Sequence, residues 1–304
     1  MIYDLIIVGA GPAGITASVY AARKKMNFLV ISNDIGGQTA WSGDIENYTG
    51  YQFISGLELT AKFQEHIQKN NVELKESENV IGLNKKNDIV EVKTDKAAYE
   101  ARTAIIASGK KSRELGVPGE EEFKNRGLTY CATCDGPLFA GKDVAVVGGG
   151  NSALDAAIQL LKIAKHIYII NIAPELTGDS IMREKIEKSD KVTIINGAEI
   201  TSVFGEKFVT GLNIKTKKGQ KSLPVQGVFV EIGLIPNSEF VSGIDKNEKG
   251  EIKVGRGNET NIEGIFAAGD VTDVLEKQII IAAGEGAKAT LSAFHYLSRK
   301  ADYI

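Results

Sequence analysis

Two glycine-rich segments with the same flanks constrain this 304-residue chain more than any other feature. The first, Gly9-Ala10-Gly11-Pro12-Ala13-Gly14, follows the apolar run Tyr3 to Val8 and precedes a predicted helix over 15–23 and a strand over 28–32. A continuous run of aliphatic and β-branched residues is typical of a parallel strand that is buried on both faces. The order strand, glycine turn, helix, strand is that of a dinucleotide-binding unit, with a merely tight structural turn as the alternative.

The same pattern returns about 140 residues later. The segment Gly148-Gly149-Gly150-Asn151-Ser152-Ala153 follows the predicted buried strand Lys142 to Val147, and a predicted helix over 154–162 and a strand over 167–171 come next. In such motifs the first glycine makes the turn, the second lets the backbone approach a pyrophosphate, and the third position keeps helix and strand close. The phosphate charge lies against the free N–H groups of the helix N-terminus. The repeat therefore predicts two nucleotide sites.

The chain length and two further strand ends indicate how the domains are connected. A chain of this length favours about two domains. Residues 103–109 and 264–270 are apolar strands that end in small residues, and they flank the second motif in sequence. We therefore predict an α/β fold with two Rossmann-like nucleotide-binding domains. The first is discontinuous and comprises residues 1–113 and 246–304, and the second, residues 114–245, is inserted into it.

The composition excludes several other classes of protein. The 36 Lys and Arg residues against 39 Asp and Glu give a formal net charge of −3, which cannot supply the basic face that nucleic-acid binding requires. No apolar stretch approaches the ~18 residues of a transmembrane helix, and the N-terminus lacks the pattern of a signal peptide. Two cysteines provide no structural disulfide framework. We therefore expect a cytoplasmic protein that binds neither nucleic acid nor membrane.

The two cysteines, Cys131 and Cys134, form a CxxC motif. This spacing brings two sulfurs within reach of a disulfide, and one thiol can lower the pKa of the other. Half of a zinc site and a pair of buried thiols are the alternatives. Because the three histidines are isolated and there is no second CxxC, zinc lacks further ligands and we predict no metal. Asp135 could serve as the proton donor to a leaving sulfur, or simply as a turn residue before Gly136-Pro137.

Taken together, these motifs resemble the low-molecular-weight thioredoxin reductase family, and within it the chain is most similar to the flavoprotein part of bacterial alkyl hydroperoxide reductase. The resemblance covers essentially the whole chain. Besides the two glycine motifs, it rests on Gly36-Gly37-Gln38, Ile45-Glu46-Asn47-Tyr48, Ala107-Ser108-Gly109, Tyr130-Cys131-Ala132-Thr133-Cys134-Asp135-Gly136-Pro137, Glu259-Thr260-Asn261, Phe266-Ala267-Ala268-Gly269-Asp270 and Lys277-Gln278-Ile279.

The resemblance implies a homodimeric enzyme with the class II pyridine nucleotide-disulfide oxidoreductase architecture. In such an enzyme a nicotinamide reduces FAD, the flavin reduces the CxxC disulfide, and the dithiol reduces a partner protein. Carried over to this sequence, the resemblance places Cys134 toward the flavin and gives Cys131 the attack on the partner's disulfide. It makes Asp135 the acid.

The resemblance also implies which residues bind the cofactors. The FAD pyrophosphate would lie on the first glycine motif, Asp270 would bind the ribityl-phosphate region, and Gln278 would lie near the flavin ring. The expected FAD contacts are Gly9, Gly11, Pro12, Ala13, Gly14, Ser32, Gly36, Gly37, Gln38, Asn47, Ala107, Gly109, Gly269, Asp270, Lys277, Gln278 and Ile279. The nicotinamide nucleotide would be bound by Gly148, Gly150, Asn151, Ser152, Ala153 and Asn171.

The end of the second strand in the nicotinamide domain decides between NADH and NADPH. A 2′-phosphate requires arginine there, whereas a free 2′-hydroxyl requires an acceptor or an amide. The strand ends at Asn171 and continues through Ala173-Pro174-Glu175, without the His-Arg-Arg cluster of typical thioredoxin reductases. We therefore predict that NADH is preferred over NADPH and that Asn171 contacts the ribose. Arg183 is the nearest arginine and the alternative ligand for a 2′-phosphate.

These observations predict an NAD(P)H-dependent enzyme that reduces a thioredoxin or a glutaredoxin-like protein, with a peroxiredoxin as a candidate acceptor further downstream. We expect the partner to be a separate protein, because the sequence begins directly at the first nucleotide-binding strand. Two alternatives stay open. Electrons could come from ferredoxin, which the intact second glycine motif disfavours. The chain could also be a flavin-binding sensor without turnover, although a sensor has no need for a CxxC motif.

Overall fold

The structure, a computed structural model, describes residues 1–300 apart from Gly43, and it describes the backbone but not the side chains of Trp41, Asp44 and Cys134. The chain divides into two compact units. Unit 1 comprises Met1–Lys111 and the residues from Ile235 onward, and unit 2 comprises Ser112–Leu234.

The second crossing between the units differs from the predicted boundary. It lies between residues 234 and 235, which is eleven residues before the predicted position at 245/246, whereas the first crossing differs by two residues. Residues 235–245 belong to unit 1 because Val241 and Ile244 are buried in its core and Val241 forms a β-bridge with Leu83. The apolar residues here, Phe240, Val241 and Ile244, are interrupted by polar residues and glycine, so no strand pattern marks them in the sequence.

Unit 1 starts with the elements that carry the first glycine motif. They are β1 (Ile2–Ala10), α1 (Pro12–Arg23), β2 (Phe28–Ile35), a 3-10 helix (Gly37–Trp41), β3 (Asp44–Ile45), β4 (Ile54–Ser55), α2 (Gly56–Lys69), β5 (Leu74–Glu76), β6 (Val80–Lys86), β7 (Ile89–Thr94), β8 (Ala98–Ile106) and β9 (Lys110–Ser112), at whose end the chain enters unit 2.

Unit 2 contains the CxxC turn and the second glycine motif. Its elements are α3 (Glu120–Phe123), β10 (Leu128–Thr129), α4 (Ala132–Asp135), a 3-10 helix (Gly136–Phe139), β11 (Asp143–Val147), α5 (Asn151–Leu160), β12 (His166–Asn171), α6 (Ser180–Glu187), β13 (Val192–Asn196), β14 (Glu199–Gly205), β15 (Val209–Thr216), β16 (Gly219–Pro224) and β17 (Gly227–Val230). The chain then returns to unit 1 through β18 (Leu234–Pro236) and continues with β19 (Ile265–Ala267), a 3-10 helix (Gly269–Val271) and α7 (Ile279–Ser298).

In the described part of the chain, the main sheet of unit 1 has seven strands in the order β5-β2-β1-β8-β7-β6, and β19 also pairs with β8. β1 lies parallel to β2 and to β8, and β19 lies parallel to β8. The two predicted strand ends therefore lie side by side, with Ile105 opposite Phe266. Since carboxyl ends of parallel strands meet at one edge, this pairing brings Gly9, Ala107 and Gly269 to the same edge.

Both faces of this sheet are covered. Leu5 and Ile7 belong to a core that includes residues of α1 and α7, whereas Ile6 and Val8 belong to a second core on the opposite face. All but Val8, which is 4% exposed, have no solvent-exposed surface. Burial of such an aliphatic side chain stabilises the fold by about 1.5–3 kcal/mol, so a central strand whose middle has no polar residue is the form that this sequence favours.

Unit 2 is built on a parallel sheet in the order β10-β17-β11-β12-β13, to which an antiparallel sheet of β14, β15 and β16 is added. The chain proceeds from β11 to β12 and β13 on one side, while β17 lies on the other side of β11. The predicted α/β class with two Rossmann-like units is therefore confirmed. None of the described helices combines the length and the apolar character that crossing a membrane would demand.

Helices α1 and α7 pack at unusually short distance in unit 1. A β-carbon added at Gly286 would lie 2.0 Å from the carbonyl oxygen of Ala13, a distance that real β-carbons do not adopt. One helical turn further on, the hydroxyl of Thr290 donates a hydrogen bond to the carbonyl oxygen of Ala17 at 3.1 Å. The helix pair therefore depends on the missing side chain at Gly286.

We expect Gly286→Ala to destabilise the protein by about 2 kcal/mol, since an added methyl group in a close-packed contact forces the two helices apart. Gly284→Ala is the matched control on the same helix, because Gly284 is exposed and an added β-carbon there has no neighbour within 4 Å. Alanine is favoured over glycine in a helix by about 1 kcal/mol, so this variant should be more stable than the parent. Urea unfolding measures both, and equal effects of the two variants would contradict the packing argument.

Candidate functional site

The first glycine motif lies at the carboxyl end of β1, where Gly9 has a left-handed φ of +106°. An added β-carbon would lie 2.3 Å from the carbonyl oxygen of Ala107 at Gly9, and 1.8 Å from the carbonyl oxygen of Gly9 at Gly14. These contacts hold β1, β8 and α1 at a distance that only glycine permits. Ala107 itself is buried, and its N–H donates to the carbonyl oxygen of Val8 at 2.8 Å.

Gly11 faces open space instead. The nearest atom to a β-carbon added there is the carbonyl oxygen of Gly36, at 4.0 Å. Gly11 is also the N-cap of α1, Pro12 lies in the first turn, and neither a capping side chain nor an acidic residue occupies this end of the helix. Gly109, with φ of +62°, is similarly open. The positive end of α1 is thus free to bind an anion such as a diphosphate.

The ends of β1 and β2 are tied together beside this motif. The N–H of Gly36 donates to the carbonyl oxygen of Ala10 at 2.8 Å, and Gly36 and Gly37 both adopt positive φ, at +94° and +52°. The hydroxyl of Ser32 donates to the carbonyl oxygen of Asp34 at 2.6 Å and accepts from the N–H of Ala10 at 3.0 Å. The hydroxyl of Ser32, a predicted cofactor contact, therefore already donates its hydrogen bond within the protein. It has one lone pair left with which to accept another.

Three predicted cofactor contacts in unit 1, Gln38, Asn47 and Gln278, form hydrogen bonds through their side-chain amides. Gln38 donates through Nε2 to the carbonyl oxygen of Lys110 at 3.0 Å. Asn47 donates through Nδ2 to Oε1 of Gln278 at 3.1 Å, and Gln278 is the N-cap of α7, which begins at Ile279. The fold thus brings Asn47 and Gln278, two predicted flavin contacts that are 231 residues apart in sequence, within hydrogen-bond distance of each other.

Asp270 lies in the 3-10 helix that follows β19. This turn is fixed by Glu285 of α7, whose Oε2 accepts from the N–H of Gly269 at 3.0 Å and from the hydroxyl of Thr272 at 3.3 Å. Within the described part of the chain, the Asp270 carboxyl takes part in no hydrogen bond. Burial raises the pKa of Asp270, although Lys277 and Lys110 act in the opposite direction. A ligand hydroxyl that donated to this carboxyl would satisfy it, as the ribityl chain of FAD can.

A buried ion cluster lies beside Asp270, and no motif in the sequence indicates it. Oε1 of Glu251 lies 2.8 Å from Nζ of Lys110 and 3.1 Å from Nζ of Lys277, and its Oε2 accepts from Asn247 at 2.7 Å. Burial alone would raise the pKa of Glu251, but the hydrogen bonds from Lys110, Asn247 and Lys277 outweigh it and hold the pKa at about 2. Lys277, a predicted cofactor contact, is thereby held in place by an ion pair.

The second glycine motif repeats the geometry of the first in unit 2. Gly148 has φ of +139°, and an added β-carbon would lie 2.2 Å from the carbonyl oxygen of Glu231 and 3.0 Å from the β-carbon of Ala153. Gly150, the N-cap of α5, is open, with the nearest atom to an added β-carbon at 3.9 Å. No side chain caps α5, and Ser152 in its first turn is exposed. This motif, too, can accommodate a diphosphate.

Asn171 lies where it was predicted, at the end of β12, but its amide serves the protein itself. Only 4% of the residue is exposed. Nδ2 donates to the carbonyl oxygen of Glu175 at 2.8 Å and to Oδ1 of Asn196 at 3.0 Å, and Oδ1 accepts from the N–H of Ala173 at 3.2 Å. For a ribose hydroxyl this leaves one lone pair of Oδ1, so Asn171 shapes the loop after β12 while its contact with the ribose stays a prediction.

This loop, residues 172–179, contains two acidic residues and no basic one. Oδ1 of Asn151 accepts from the N–H of Asp179 at 2.7 Å, which ties the start of α5 to the loop. Arg183 of α6 donates through Nη1 to the carbonyl oxygen of Leu176 at 3.3 Å, and its buried Nε has no partner in the described part of the chain. Arg183 is therefore directed at the loop backbone.

The CxxC turn forms the short helix α4. Cys131 is partly exposed and disulfide-bonded, while the side chain of Cys134 lies outside the described residues, so their pairing stays a prediction. The hydroxyl of Thr129 donates to the carboxylate of Asp135 and accepts from the N–H of Cys131 at 3.1 Å. The fold thus brings the predicted acid, Asp135, next to the backbone of the predicted nucleophile.

Two further hydrogen bonds anchor this turn within unit 2. The hydroxyl of Tyr130 donates to Oε1 of Glu120 at 2.7 Å, and burial, with this hydrogen bond, raises the pKa of Tyr130. The hydroxyl of Thr133 donates to Oε1 of Gln159 at 2.8 Å. Among the residues that the structure describes, no group of three or more His, Cys, Asp or Glu side chains could hold a metal ion.

Comparison with known proteins identifies the family. Residues 3–286 match the family model of pyridine nucleotide-disulphide oxidoreductases. The chain is 40% identical over 301 residues to a Bacillus subtilis protein named NADH dehydrogenase and to an alkyl hydroperoxide reductase subunit from Staphylococcus epidermidis, in each case over 98% of this chain and 59% of the relative. It therefore spans about three fifths of the length of these relatives.

Solved structures extend the comparison over the whole of another chain. The thioredoxin reductase of Lactococcus lactis, in its FR conformation, matches with a TM-score of 0.89 and 35% sequence identity, over 98% of this chain and 100% of that one. The family match covers far more than half of the sequence. The chain belongs to the pyridine nucleotide-disulphide oxidoreductase family, and the resemblance to low-molecular-weight thioredoxin reductases is confirmed.

The family implies FAD and a pyridine nucleotide, and the residues present fit both groups. In unit 1 the open face of Gly11, the uncapped start of α1 and the unsatisfied Asp270 carboxyl suit a diphosphate and a ribityl chain. In unit 2 the open face of Gly150 and the uncapped start of α5 suit a second diphosphate. The assignment of individual contacts to either group stays a prediction.

The ion cluster leads to a prediction about stability. Glu251→Gln removes the counter-charge of Lys110 and Lys277, and breaking a buried ion pair costs about 3 kcal/mol at neutral pH. Because the pKa of Glu251 is depressed in the folded protein, its stabilisation is present above the ordinary pKa of about 4.5 and is lost as the pH falls toward 2. Urea unfolding should therefore show a difference from the parent that shrinks in acid.

Glu248→Gln is the control for this comparison, since Glu248 is exposed and close in sequence. It should change the free energy of unfolding by less than about 0.5 kcal/mol. A loss in Glu251→Gln that is equally large at neutral and acid pH would show that ionisation of Glu251 is not what stabilises the fold.

Proposed function

We propose that this chain is an FAD-dependent disulfide reductase that takes electrons from a nicotinamide nucleotide, with NADH preferred. It passes them through the Cys131 and Cys134 pair to a thioredoxin or a glutaredoxin-like protein. The observation that carries this proposal is the position of the CxxC turn. Through the hydrogen bond from Thr133 to Gln159, α4 is attached to α5, the helix that follows the second glycine motif. In this proposal, one unit holds both the thiol pair and the nicotinamide site.

FAD, when bound, accepts a hydride from the nicotinamide and supplies two electrons to a disulfide. In this proposal the residues of unit 1 bind and orient it. The N-terminus of α1 would hold the diphosphate, the carboxyl of Asp270 would accept a hydrogen bond from the ribityl chain, and Gln38 and Gln278 would lie near the ring. Lys277, fixed by Glu251, adds a positive charge near the same residues.

The thiol pair then reduces the partner in two exchange steps. The thiolate of Cys131 attacks the partner's disulfide, forms a mixed disulfide and releases one partner thiol. The sulfur of Cys134 attacks Cys131, which re-forms the internal disulfide and releases the second partner thiol. Two electrons pass to the partner, and the two protons of the original thiols end on the partner's sulfurs. Asp135, which lies beside Cys131 through Thr129, is placed to hold one of these protons.

The preference for NADH rests on the charge of the loop after β12. A 2′-phosphate at the end of this strand would meet Glu175 and Asp179 and no basic residue of the loop. Arg183 donates to the carbonyl oxygen of Leu176, so it is engaged with the loop backbone. An uncharged ribose hydroxyl avoids both the repulsion and the need for a cation.

Further parts of the proposal follow from the resemblance. We propose that the protein works as a homodimer in the cytoplasm and that a peroxiredoxin can receive electrons downstream of the thioredoxin-like partner. The relative named as an alkyl hydroperoxide reductase subunit is in accord with such an acceptor.

Anaerobic titration with NADH, followed by thiol counting, tests the electron path. The parent protein, loaded with FAD, should take up four electrons, two on the flavin and two on the sulfurs. Cys134→Ser should take up two and gain no thiols, because only the flavin can then be reduced. A parallel titration with reduced ferredoxin tests the alternative in which ferredoxin is the electron donor. An uptake of two electrons by both proteins would refute the CxxC step, and no reduction by any donor would favour the sensor.

Stopped-flow reduction of the flavin tests the choice of nucleotide. We expect the second-order rate constant to be larger for NADH than for NADPH. Ile172→Arg places a cation beside the loop, because Ile172 is 75% exposed at the end of β12, and it should raise the rate constant for NADPH about tenfold. Phe208→Arg adds the same charge at an exposed position elsewhere in unit 2 and should not. A faster reaction of the parent with NADPH would overturn the preference.

A further inference from the structure

Glu231 occupies a position in unit 2 that the proposed chemistry does not yet use. It directly follows β17, its N–H donates to the carbonyl oxygen of Val147 at 2.8 Å, and its own carbonyl oxygen packs against Gly148. β17 and β11 are adjacent parallel strands, and the chain order reverses between them, because β12 and β13 lie on the other side of β11. Ligands of open α/β sheets bind outside the carboxyl ends of the strands at such a switch point.

The place of Glu231 in the sheet also indicates which half of a dinucleotide it would contact. In a Rossmann unit the end of the second strand, here β12, contacts the adenosine ribose, and the diphosphate lies on the glycine turn. β17 lies across β11 from β12. A residue at the carboxyl end of β17 therefore faces the nicotinamide half.

The carboxyl of Glu231 is partly buried and takes part in no hydrogen bond within the described part of the chain. Burial raises the pKa of Glu231 to about 8, and the negative charge of Asp155 on α5 adds to this effect. Among the charged groups that the structure describes, Asp155 is the one with a resolved influence on Glu231. At neutral pH Glu231 consequently carries a proton and can act as a hydrogen-bond donor.

Hydrogen bonds that lead back to the CxxC turn hold the side chain of Asp155 in place. Nε2 of Gln159 donates to Oδ2 of Asp155 at 2.8 Å, and Oε1 of Gln159 accepts from the hydroxyl of Thr133 at 2.8 Å. Asp155 and Gln159 are four residues apart, so they lie on one face of α5. This row of hydrogen bonds keeps a fixed negative charge beside Glu231.

We propose that Glu231 is a recognition residue of the second nucleotide site, where its carboxyl group donates a hydrogen bond to an oxygen of the nicotinamide half of NAD(H). This inference rests on the proposed function, since it takes a nicotinamide nucleotide as the ligand. Loss of the proton removes the donor and adds a second negative charge beside Asp155, close to where the diphosphate binds. Affinity for the nucleotide should therefore fall as the pH rises through the pKa of Glu231.

Isothermal titration of NAD⁺ into the FAD-loaded protein, between about pH 6.5 and about pH 9.5, tests this inference. If only the protonated form binds, a pKa of about 8 predicts an affinity about tenfold weaker at about pH 9 than at neutral pH. Glu231→Gln stays an uncharged donor at every pH. It should bind within about twofold of the parent at neutral pH and lose this pH dependence.

Two further variants keep the test specific. Asp155→Asn should move the midpoint of the pH dependence to lower pH, because it removes the charge that disfavours ionised Glu231. Glu206→Gln, an exposed position in the same unit, should follow the parent throughout. Thermal unfolding of each variant separates lost binding from lost structure.

The outcomes separate this inference from the proposed function. If the parent binds NAD⁺ and Glu231→Gln keeps the parent's pH dependence, the role of Glu231 is refuted while the disulfide-reductase proposal stands. A parent protein that binds no nicotinamide nucleotide at any pH would refute the proposed function, and the inference with it. A midpoint that is unchanged in Asp155→Asn would also count against the inference, since Asp155 would then not act on the titrating group.

Discussion

Close approach of backbone to backbone at the glycine turns is the constraint on which both units depend. At Gly14 an added β-carbon would lie 1.8 Å from a carbonyl oxygen, and at Gly148 the distance would be 2.2 Å. These contacts set how near α1 lies to β1, and how near β11 lies to the end of β17. The second glycine of each motif has the opposite property, because open space surrounds Gly11 and Gly150. Tight packing at one position thus creates the exposed helix end at the next, where a diphosphate finds free N–H groups.

Three glutamates that are fully or partly buried show how surroundings give one residue type different roles. Glu285 accepts from the N–H of Gly269 and fixes the turn that presents Asp270. Glu251 has two lysines and an amide around it, so it stays ionised well into acid. Burial and, among the described charged groups, the carboxylate of Asp155 raise the pKa of Glu231 to about 8, so it holds its proton at neutral pH. Glu285 and Glu251 stabilise the fold and balance charge. Protonated Glu231 instead has an unused hydrogen-bond donor, from which a ligand can accept.

The sequence predicted those parts of the molecule that local patterns determine. Both strand, turn, helix units were predictable because buried parallel strands are continuous apolar runs and the glycine turns have fixed spacing. Contacts between distant segments left no such signal. Glu251 meets Lys110 across about 140 residues, and Val241 joins the core of unit 1 from a polar stretch. Asn171 lies at the predicted place and its contact with the ribose stays a prediction, but sequence cannot show that three groups of its own surroundings already bond its amide.

The CxxC turn depends on unit 2 in a way that bears on its chemistry. Tyr130 is anchored to Glu120, Thr129 bridges Asp135 and Cys131, and Thr133 is attached to Gln159. The residues that form these hydrogen bonds come before, between and after the two cysteines in the sequence. Thr133, which lies between the two cysteines, is therefore connected through Gln159 to the carboxylate of Asp155. Because each of these partners belongs to unit 2, the conformation of the turn is determined by that unit as well as by the sulfur pair.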